Sequence, residues 1–272
     1  MKIFRSINII NDCYLLQHDL HQFEQYCTLN KLDLNISKCY KITFTRKPNF
    51  IQYFYTINNI ILTEIDEIRD LGVLHDSKFL YDKHIDHITK KAYKTLGFVM
   101  RVSSQFSNVK VLKILYGSLV RSLLEYASQA WNPMYDVYVN RIESIQRGFL
   151  RFFEFKCKVS DNHYEARCLR HHILPLHKRR QIADIVMLSK IAQSKIDSPY
   201  LLSKICLKVP TRRFRNPIQL FVSRISSYYR ANSYFNRMSN NYNLLAVTHD
   251  IDLFISNPQN LKTALVKHWS EN

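Results

Sequence analysis

Apolar and polar residues follow a helical spacing over most of this chain and a strand-like alternation only near its start. The first helical pattern predicts a helix over about residues 12–29, with Asn11-Asp12 as its cap. The apolar face of this helix would hold Leu16, Leu20, Phe23 and Cys27. The first organised element is therefore an amphipathic helix that needs an apolar partner.

Short β-branched and aromatic runs follow this helix and predict a small antiparallel sheet. The strands are expected at Tyr40–Thr45, Tyr53–Ile57, Ile60–Leu62 and Asp66–Asp76. Asn58-Asn59 suits a tight turn between the second and third strands. Gly72 lies inside the last strand pattern, where a glycine predicts a β-bulge or a close backbone approach.

From Asp82 onward the pattern is almost entirely helical. Helices are predicted over about 82–103, from Asn108 to a stop at Trp131-Asn132-Pro133, from Val137 or Tyr138 to Phe152, from Pro175 to Lys195, and briefly after Ser198-Pro199, with Asp161–Leu174 ambiguous. The predicted fold class is α+β and mostly α: a small antiparallel sheet with one backing helix, followed by a helical bundle. The domains are expected to be 1–80, 81–230 and a tail of 231–272.

Charge changes this picture because the chain carries a net charge of +17 that is concentrated in one block. Residues 1–89 hold 10 Lys+Arg and 11 Asp+Glu, whereas residues 90–230 hold 26 and 8, a net charge of +18. Such an asymmetry is typical of a surface that binds a polyanion. The alternative is a set of ordinary solvated helix faces. The expected contacts with nucleic acid are Arg179, Arg180, Arg212, Arg213, Phe214 and Arg215.

Other classes of site find little support in the sequence. No apolar run is long enough to span a bilayer, and no secretory signal is visible, so we expect a cytoplasmic or nuclear protein with reduced thiols and no membrane partner. The sequence has no phosphate-binding glycine loop, nucleophile elbow or HExxH motif. A zinc site is a minor alternative to no metal site, and its candidate ligands are Cys157, His163, Cys168, His171 and His172.

Two short segments resemble reverse transcriptases of non-LTR retrotransposons, and the jockey-like elements are the closest match. The matching residues are Asn35-Ile36-Ser37-Lys38 and, further along, Leu71-Gly72-Val73, Asp76, Phe79 and His84-Ile85. The resemblance implies a late palm, then a thumb and connection. It places Lys38 near the phosphates of the incoming nucleotide, where it could aid proton transfer, and makes Leu71-Gly72 a primer grip. Without the resemblance, Lys38 is a turn lysine in water and Leu71-Gly72 a plain bulge.

The same resemblance implies that the catalytic aspartates are missing from this chain. Family members carry an aromatic-Ala-Asp-Asp sequence immediately before a segment like Met1-Lys2-Ile3-Phe4. The fragment is thus expected to bind an RNA/DNA primer-template, to hold no cofactor itself and to be inactive alone, whereas the intact parent enzyme would use Mg²⁺. The alternatives are a non-enzymatic nucleic-acid-binding protein and a decayed element without function.

Overall fold

The computed structural model describes residues 1–106, 108–159, 163–208, 219–223, 228–248, 253–254 and 256–271. The chain divides into two compact units, Met1–His84 and Ile85–Asn272, and each is described by itself below. The predicted class, mostly α with some β, is confirmed. The three-part division at 80–81 and 230–231 stays a prediction.

The first unit begins with helix α1, Ile10–Leu29, close to the helix that the pattern predicts. The expected cap at Asn11-Asp12 is wrong, because the helix starts at Ile10, two residues earlier than predicted, and its N-cap is Ile9. Asp12 lies inside the first turn, and its Oδ2 accepts the N–H groups of Asn8 and Ile9 at 2.8 and 3.0 Å. The bonds from Ile9 and Asn8 hold the pKa of Asp12 below its ordinary value.

The strands form separate two-stranded pairs in the described residues, where the pattern predicted one antiparallel sheet. Their bounds are Tyr40–Lys41 (β1), Thr56–Ile57 (β2), Ile60–Ile61 (β3), Thr63–Glu64 (β4), Glu67–Asp70 (β5), Val73–Asp76 (β6), Leu207–Lys208 (β7) and Gln219–Leu220 (β8). The pairs β2–β3, β5–β6 and β7–β8 are antiparallel, whereas β1–β4 is parallel. The tight turn at Asn58-Asn59 is confirmed, with φ of 48° and 58°.

The segment Asp66–Asp76 folds as a hairpin, so the predicted single strand with a bulge at Gly72 is wrong. Asp70 pairs directly with Val73, which leaves Leu71 and Gly72 as the two-residue connection. Their φ angles are 44° and 86°, as a type I′ turn requires at both central positions. Glycine adopts this conformation freely, whereas leucine does so at a cost of about 1–2 kcal/mol.

A polar bridge ties α1 to the second strand within the small core of the first unit. Gln17 donates from Nε2 to the carbonyl oxygen of Thr56 and accepts the Thr56 N–H at Oε1, both at 2.9 Å. The side-chain amide thereby pairs with Thr56 as a neighbouring strand would. The buried residues around it are Cys13, Leu20, Tyr55 and Ile57.

The second unit is helical except for β7–β8 in its described residues. Its helices are Asp82–Val102 (α2, which starts in the first unit), Val109–Leu115 (α3), Ser122–Glu125 (α4), Ser128–Trp131 (α5), Asp136–Cys157 (α6), Tyr164–Arg170 (α7), Leu176–Ala192 (α8), Pro199–Ser203 (α9), Tyr228–Ala231 (α10), Tyr234–Thr248 (α11) and Pro258–Glu271 (α12). The predicted helix starts at Asn108 and at Ser198-Pro199 are confirmed, and both are capped: the Asn108 side chain accepts from the N–H of Lys110, and that of Ser198 from the N–H of Leu201. No described helix is long and apolar enough to cross a membrane.

The predicted helix from Asn108 is interrupted by a π-helical segment, Tyr116–Arg121, between α3 and α4. The fully or almost fully buried residues here are Leu112, Tyr116, Val120 and Leu124, each four residues after the last. In a regular α-helix, a spacing of four advances about 40° per step and would turn these side chains off one face. The wider π turns offset this drift and keep all four in the core.

Candidate nucleic-acid interface

Helix α2 presents one apolar face to the core and one cationic face to solvent. Its buried face holds Ile85, Ile88, Ala92, Leu96 and Val99. The exposed positions opposite include Lys90, Lys91, Lys94, Phe98 and Arg101, which we call the α2 cationic face. This division follows from the helical period, since the two sets interleave at spacings of three and four.

The charges of the α2 cationic face are not neutralised by carboxylates of the described residues. The acidic residues of α2 are Asp82 and Asp86, both near its start, and Asp86 is ion-paired with Arg141. At 1.5 Å per residue, Lys90 and Arg101 lie roughly 16 Å apart along the helix axis. A row of cations of this length matches about five phosphate steps of a nucleic-acid strand at 3.4 Å each.

The two arginines predicted on α8 are engaged within the second unit. Arg179 donates from Nη2 to Oε2 of Glu125 at 3.0 Å and is also bonded through Nε. Arg180 is 3% exposed and donates from Nε to Oδ1 of Asn132 at 2.8 Å. A side chain buried to this degree does not reach a phosphate, so Arg180 is not available for the expected contact with nucleic acid.

Arg180 belongs to a buried polar centre built around Glu143 of α6. The Glu143 carboxylate accepts from the Tyr164 hydroxyl at 2.5 Å and from the N–H groups of Leu176 and His177 at 3.2 and 2.6 Å. Nη2 of Arg180 lies 4.0 Å from Oε1 of Glu143. Because α8 begins after Pro175, whose side chain offers no acceptor, Glu143 acts as the cap of that helix.

The electrostatics of Glu143 result from opposing effects. Burial alone raises the pKa of this carboxyl, but hydrogen bonds from His177 and Tyr164 and the charge of Arg180 outweigh it. The pKa of Glu143 is therefore held below its ordinary value, and the residue is a carboxylate at neutral pH. Its role is to join α6, α7 and α8.

The predicted palm residue Lys38 ends a 3₁₀ turn, Ile36–Lys38, between α1 and β1. Within the turn, the Ser37 hydroxyl donates to Oδ1 of Asn35 at 2.5 Å. Lys38 itself is exposed. Its role beside nucleotide phosphates stays a prediction.

The predicted primer grip lies at the tip of the β5–β6 hairpin. Leu71 is 81% exposed there, in a left-handed backbone conformation that is costly for leucine. Its contact with a primer stays a prediction. The cluster Arg212, Arg213, Phe214 and Arg215 lies outside the described residues.

Two of the candidate zinc ligands, Cys168 and His171, have other partners. Cys168 is buried and accepts from Nε2 of Gln146 at 3.8 Å, and burial, as the largest cause, raises its pKa to about 11. His171 lies 3.4 Å from Oε1 of Glu154 and packs its ring against Phe153. In the described part of the chain, no three His, Cys, Asp or Glu side chains converge as metal ligands would.

Sequence reasoning missed the α2 cationic face and the Glu143 centre. A signal for the first was present, because lysines at 90 and 94 and Arg101 lie opposite the apolar stripe of the same helix. The signal for the second was absent, since Glu143 receives its partners from α7 and α8, 21 to 34 residues away.

The fold and surface thus define a basic, mostly helical protein with a small β-containing unit before its helices. The chain is 26% identical over 150 residues, 54% of its length, to the RNA-directed DNA polymerase from mobile element jockey of Drosophila funebris. It is also 26% identical over 102 residues, 38% of its length, to an uncharacterised protein of Caenorhabditis elegans. No family model and no solved structure matches it.

These similarities are distant and partial. The chain covers 51% of the Caenorhabditis elegans protein and 16% of the jockey polymerase. The similarity to the jockey polymerase supports a region related to a retrotransposon reverse transcriptase.

Proposed function

We propose that this chain is a reverse-transcriptase-related fragment of a non-LTR retrotransposon that binds primer-template nucleic acid without copying it. The observation that supports this proposal most directly is the α2 cationic face, in a chain with a partial similarity to the jockey polymerase. Its cations would neutralise backbone phosphates and release counterions, which is the main source of sequence-independent affinity for nucleic acid. Lys38 and Leu71 would supply further contacts from the first unit.

Catalysis is not part of the proposal for these 272 residues, which contain no Ala-Asp-Asp sequence. A polymerase needs clustered carboxylates to hold Mg²⁺ at the primer end. The described residues offer no such cluster, so they do not fit the metal site of the parent enzyme. No chemical step is assigned to them.

The test compares salt-dependent binding of a fluorescent RNA/DNA primer-template to two triple variants. The first carries Lys90→Gln, Lys91→Gln and Lys94→Gln on the α2 cationic face. The matched control carries Lys195→Gln, Lys204→Gln and Lys208→Gln, which removes three exposed charges from other parts of the second unit.

Each phosphate contact adds about 0.9 to the slope of log K against log salt on duplex DNA, so loss of three lowers the slope by about 2.7. Between about 50 and 200 mM salt, the affinity of the α2 variant should therefore fall by a factor roughly 40-fold smaller than that of the wild type. Equal slopes for the two triple variants would refute the role of α2. Primer extension by the purified chain with Mg²⁺ would refute the proposed inactivity, and equal affinity for blunt duplex and primer-template would favour a general nucleic-acid-binding protein.

A further inference from the structure

A second surface with the chemistry of a nucleic-acid contact lies in the first unit, in the loop after β6. The rings of Phe44 and Phe79 stack with centroids 4.5 Å apart and an interplanar angle of 15°. His75 and Tyr81 pack edge-on or tilted around Phe79. Phe44 is 45% exposed, so this aromatic platform, Phe44, His75, Phe79 and Tyr81, presents a ring to solvent.

The loop that carries the aromatic platform is held rigidly. The Asp76 carboxylate accepts the N–H groups of Lys78, Leu80 and Tyr81 at 2.8 to 3.0 Å. Phe79 and Tyr81 have φ of 51° and 60°, left-handed conformations that bulky residues rarely adopt. Backbone strain of this kind costs about 1–3 kcal/mol per residue and concentrates at functional sites.

Basic residues adjoin the platform, although the first unit as a whole is close to neutral. Arg46 donates from Nε to the carbonyl oxygen of Lys78 at 2.7 Å and from Nη2 to that of Phe79 at 3.4 Å. Lys47 and Lys78, next in sequence to Arg46 and Phe79, are exposed and form no ion pair with a described residue. Lys47 and Lys78 are therefore available to phosphates, whereas the Asp76 carboxylate of the same loop is bonded to backbone N–H groups.

We propose that the aromatic platform binds an unpaired base of a single-stranded nucleic-acid segment, with Phe44 as the stacking ring and Lys47 and Lys78 as phosphate contacts. A ring face beside cations is how sequence-tolerant single-strand binders hold successive bases. This inference rests on the proposed function and adds to it the strand type and a contact in the first unit. It separates single-strand binding here from duplex binding at the α2 cationic face.

The experiment measures binding of the full chain to a short fluorescent oligothymidine and to a blunt duplex by anisotropy. Stacking on one aromatic residue contributes about 1–3 kcal/mol per base, so Phe44→Ala should weaken single-strand binding about 5- to 150-fold. Duplex binding should change less than twofold. Phe54→Ala is the control, because Phe54 is an equally apolar, 75% exposed ring elsewhere in the first unit.

Two further variants separate stacking from folding. Phe44→Leu keeps an apolar contact to Phe79 but has no π-face, so it should lose nearly as much single-strand affinity as Phe44→Ala. Phe44→Trp should retain the affinity, and its fluorescence should be quenched when the oligonucleotide binds. Equal losses of affinity for single strand and duplex, or no loss in Phe44→Ala and Phe44→Leu, would overturn the role of the aromatic platform. In that case, duplex binding by the wild type would still support the proposed function. Failure of the wild type to bind either ligand would overturn both.

Discussion

Glu143 is the residue whose removal tests the packing of the second unit most sharply. Replacement by alanine leaves the N–H groups of Leu176 and His177 at the start of α8 without their acceptor. It also leaves the buried guanidinium of Arg180 without the carboxylate 4.0 Å away. One Nη atom of Arg180 already lacks a partner among the described residues, so the centre has no spare acceptor for it.

The magnitude follows from these losses. Breaking a buried charge pair from one side costs about 3–5 kcal/mol, and a buried N–H without an acceptor about 1–3 kcal/mol. Because relaxation makes such costs non-additive, we expect Glu143→Ala to lower the free energy of unfolding by about 4 kcal/mol. Glu143→Gln retains one oxygen acceptor and should cost about 2 kcal/mol. A domain has only about 5–15 kcal/mol of stability, so the first variant is expected to be marginal.

Urea unfolding followed by tryptophan fluorescence is a suitable assay, because both tryptophans, Trp131 and Trp269, lie in the second unit and report on it alone. Glu165→Ala, an exposed change on α7, is the control and should stay within about 0.5 kcal/mol of the wild type. In a double-mutant cycle, Glu143→Gln and Arg180→Met should couple by about 1–3 kcal/mol. A loss in Glu143→Ala no larger than in the control would show that the carboxylate neither caps α8 nor balances Arg180.

Three other outcomes are expected. The pKa of Glu143 lies below its ordinary 4.5, so its contribution to the free energy of unfolding is complete above that pH and is lost as the pH falls. Acidification from about pH 5 to about pH 3 should therefore destabilise the wild type more than Glu143→Gln in the fluorescence assay. Leu71→Asn, which places an Asn-Gly pair in the type I′ turn, should slow hydrogen exchange in β5–β6, and Leu71→Val should accelerate it; the opposite order would contradict the turn assignment. Gln17→Leu should cost the first unit about 2 kcal/mol and accelerate exchange at Thr56, whereas Gln25→Leu, an exposed change on the same helix, should not.

The helices were predictable because their signals are local. The spacing of Ile85, Ile88 and Ala92 and the caps at Asn108 and Ser198 each lie within one or two turns of the element that they define. Leu71-Gly72 was misread as a bulge because the apolar pattern of Ile68, Leu71 and Val73 was interpreted as one strand, which outweighed the turn signal of a single glycine.

The candidate site was less predictable than the helices. Only an exposed cation can contact a ligand. The sequence does not reveal that Arg180 is buried whereas the lysines of α2 are exposed. The stack of Phe44 on Phe79 joins residues 35 positions apart, which no periodicity reveals.

The π-helical segment at Tyr116–Arg121 has a consequence for comparing this chain with its relatives. Such segments commonly behave as one-residue insertions into an ordinary helix. In a relative without the extra residue, the buried residues of this helix would return to spacings of three and four. A sequence alignment that ignores this would pair every downstream core position with the wrong residue, one position away. Deletion of the exposed Ser118 should restore a regular α-helix here, and it should be tolerated far better than deletion of a residue in the regular helix α6.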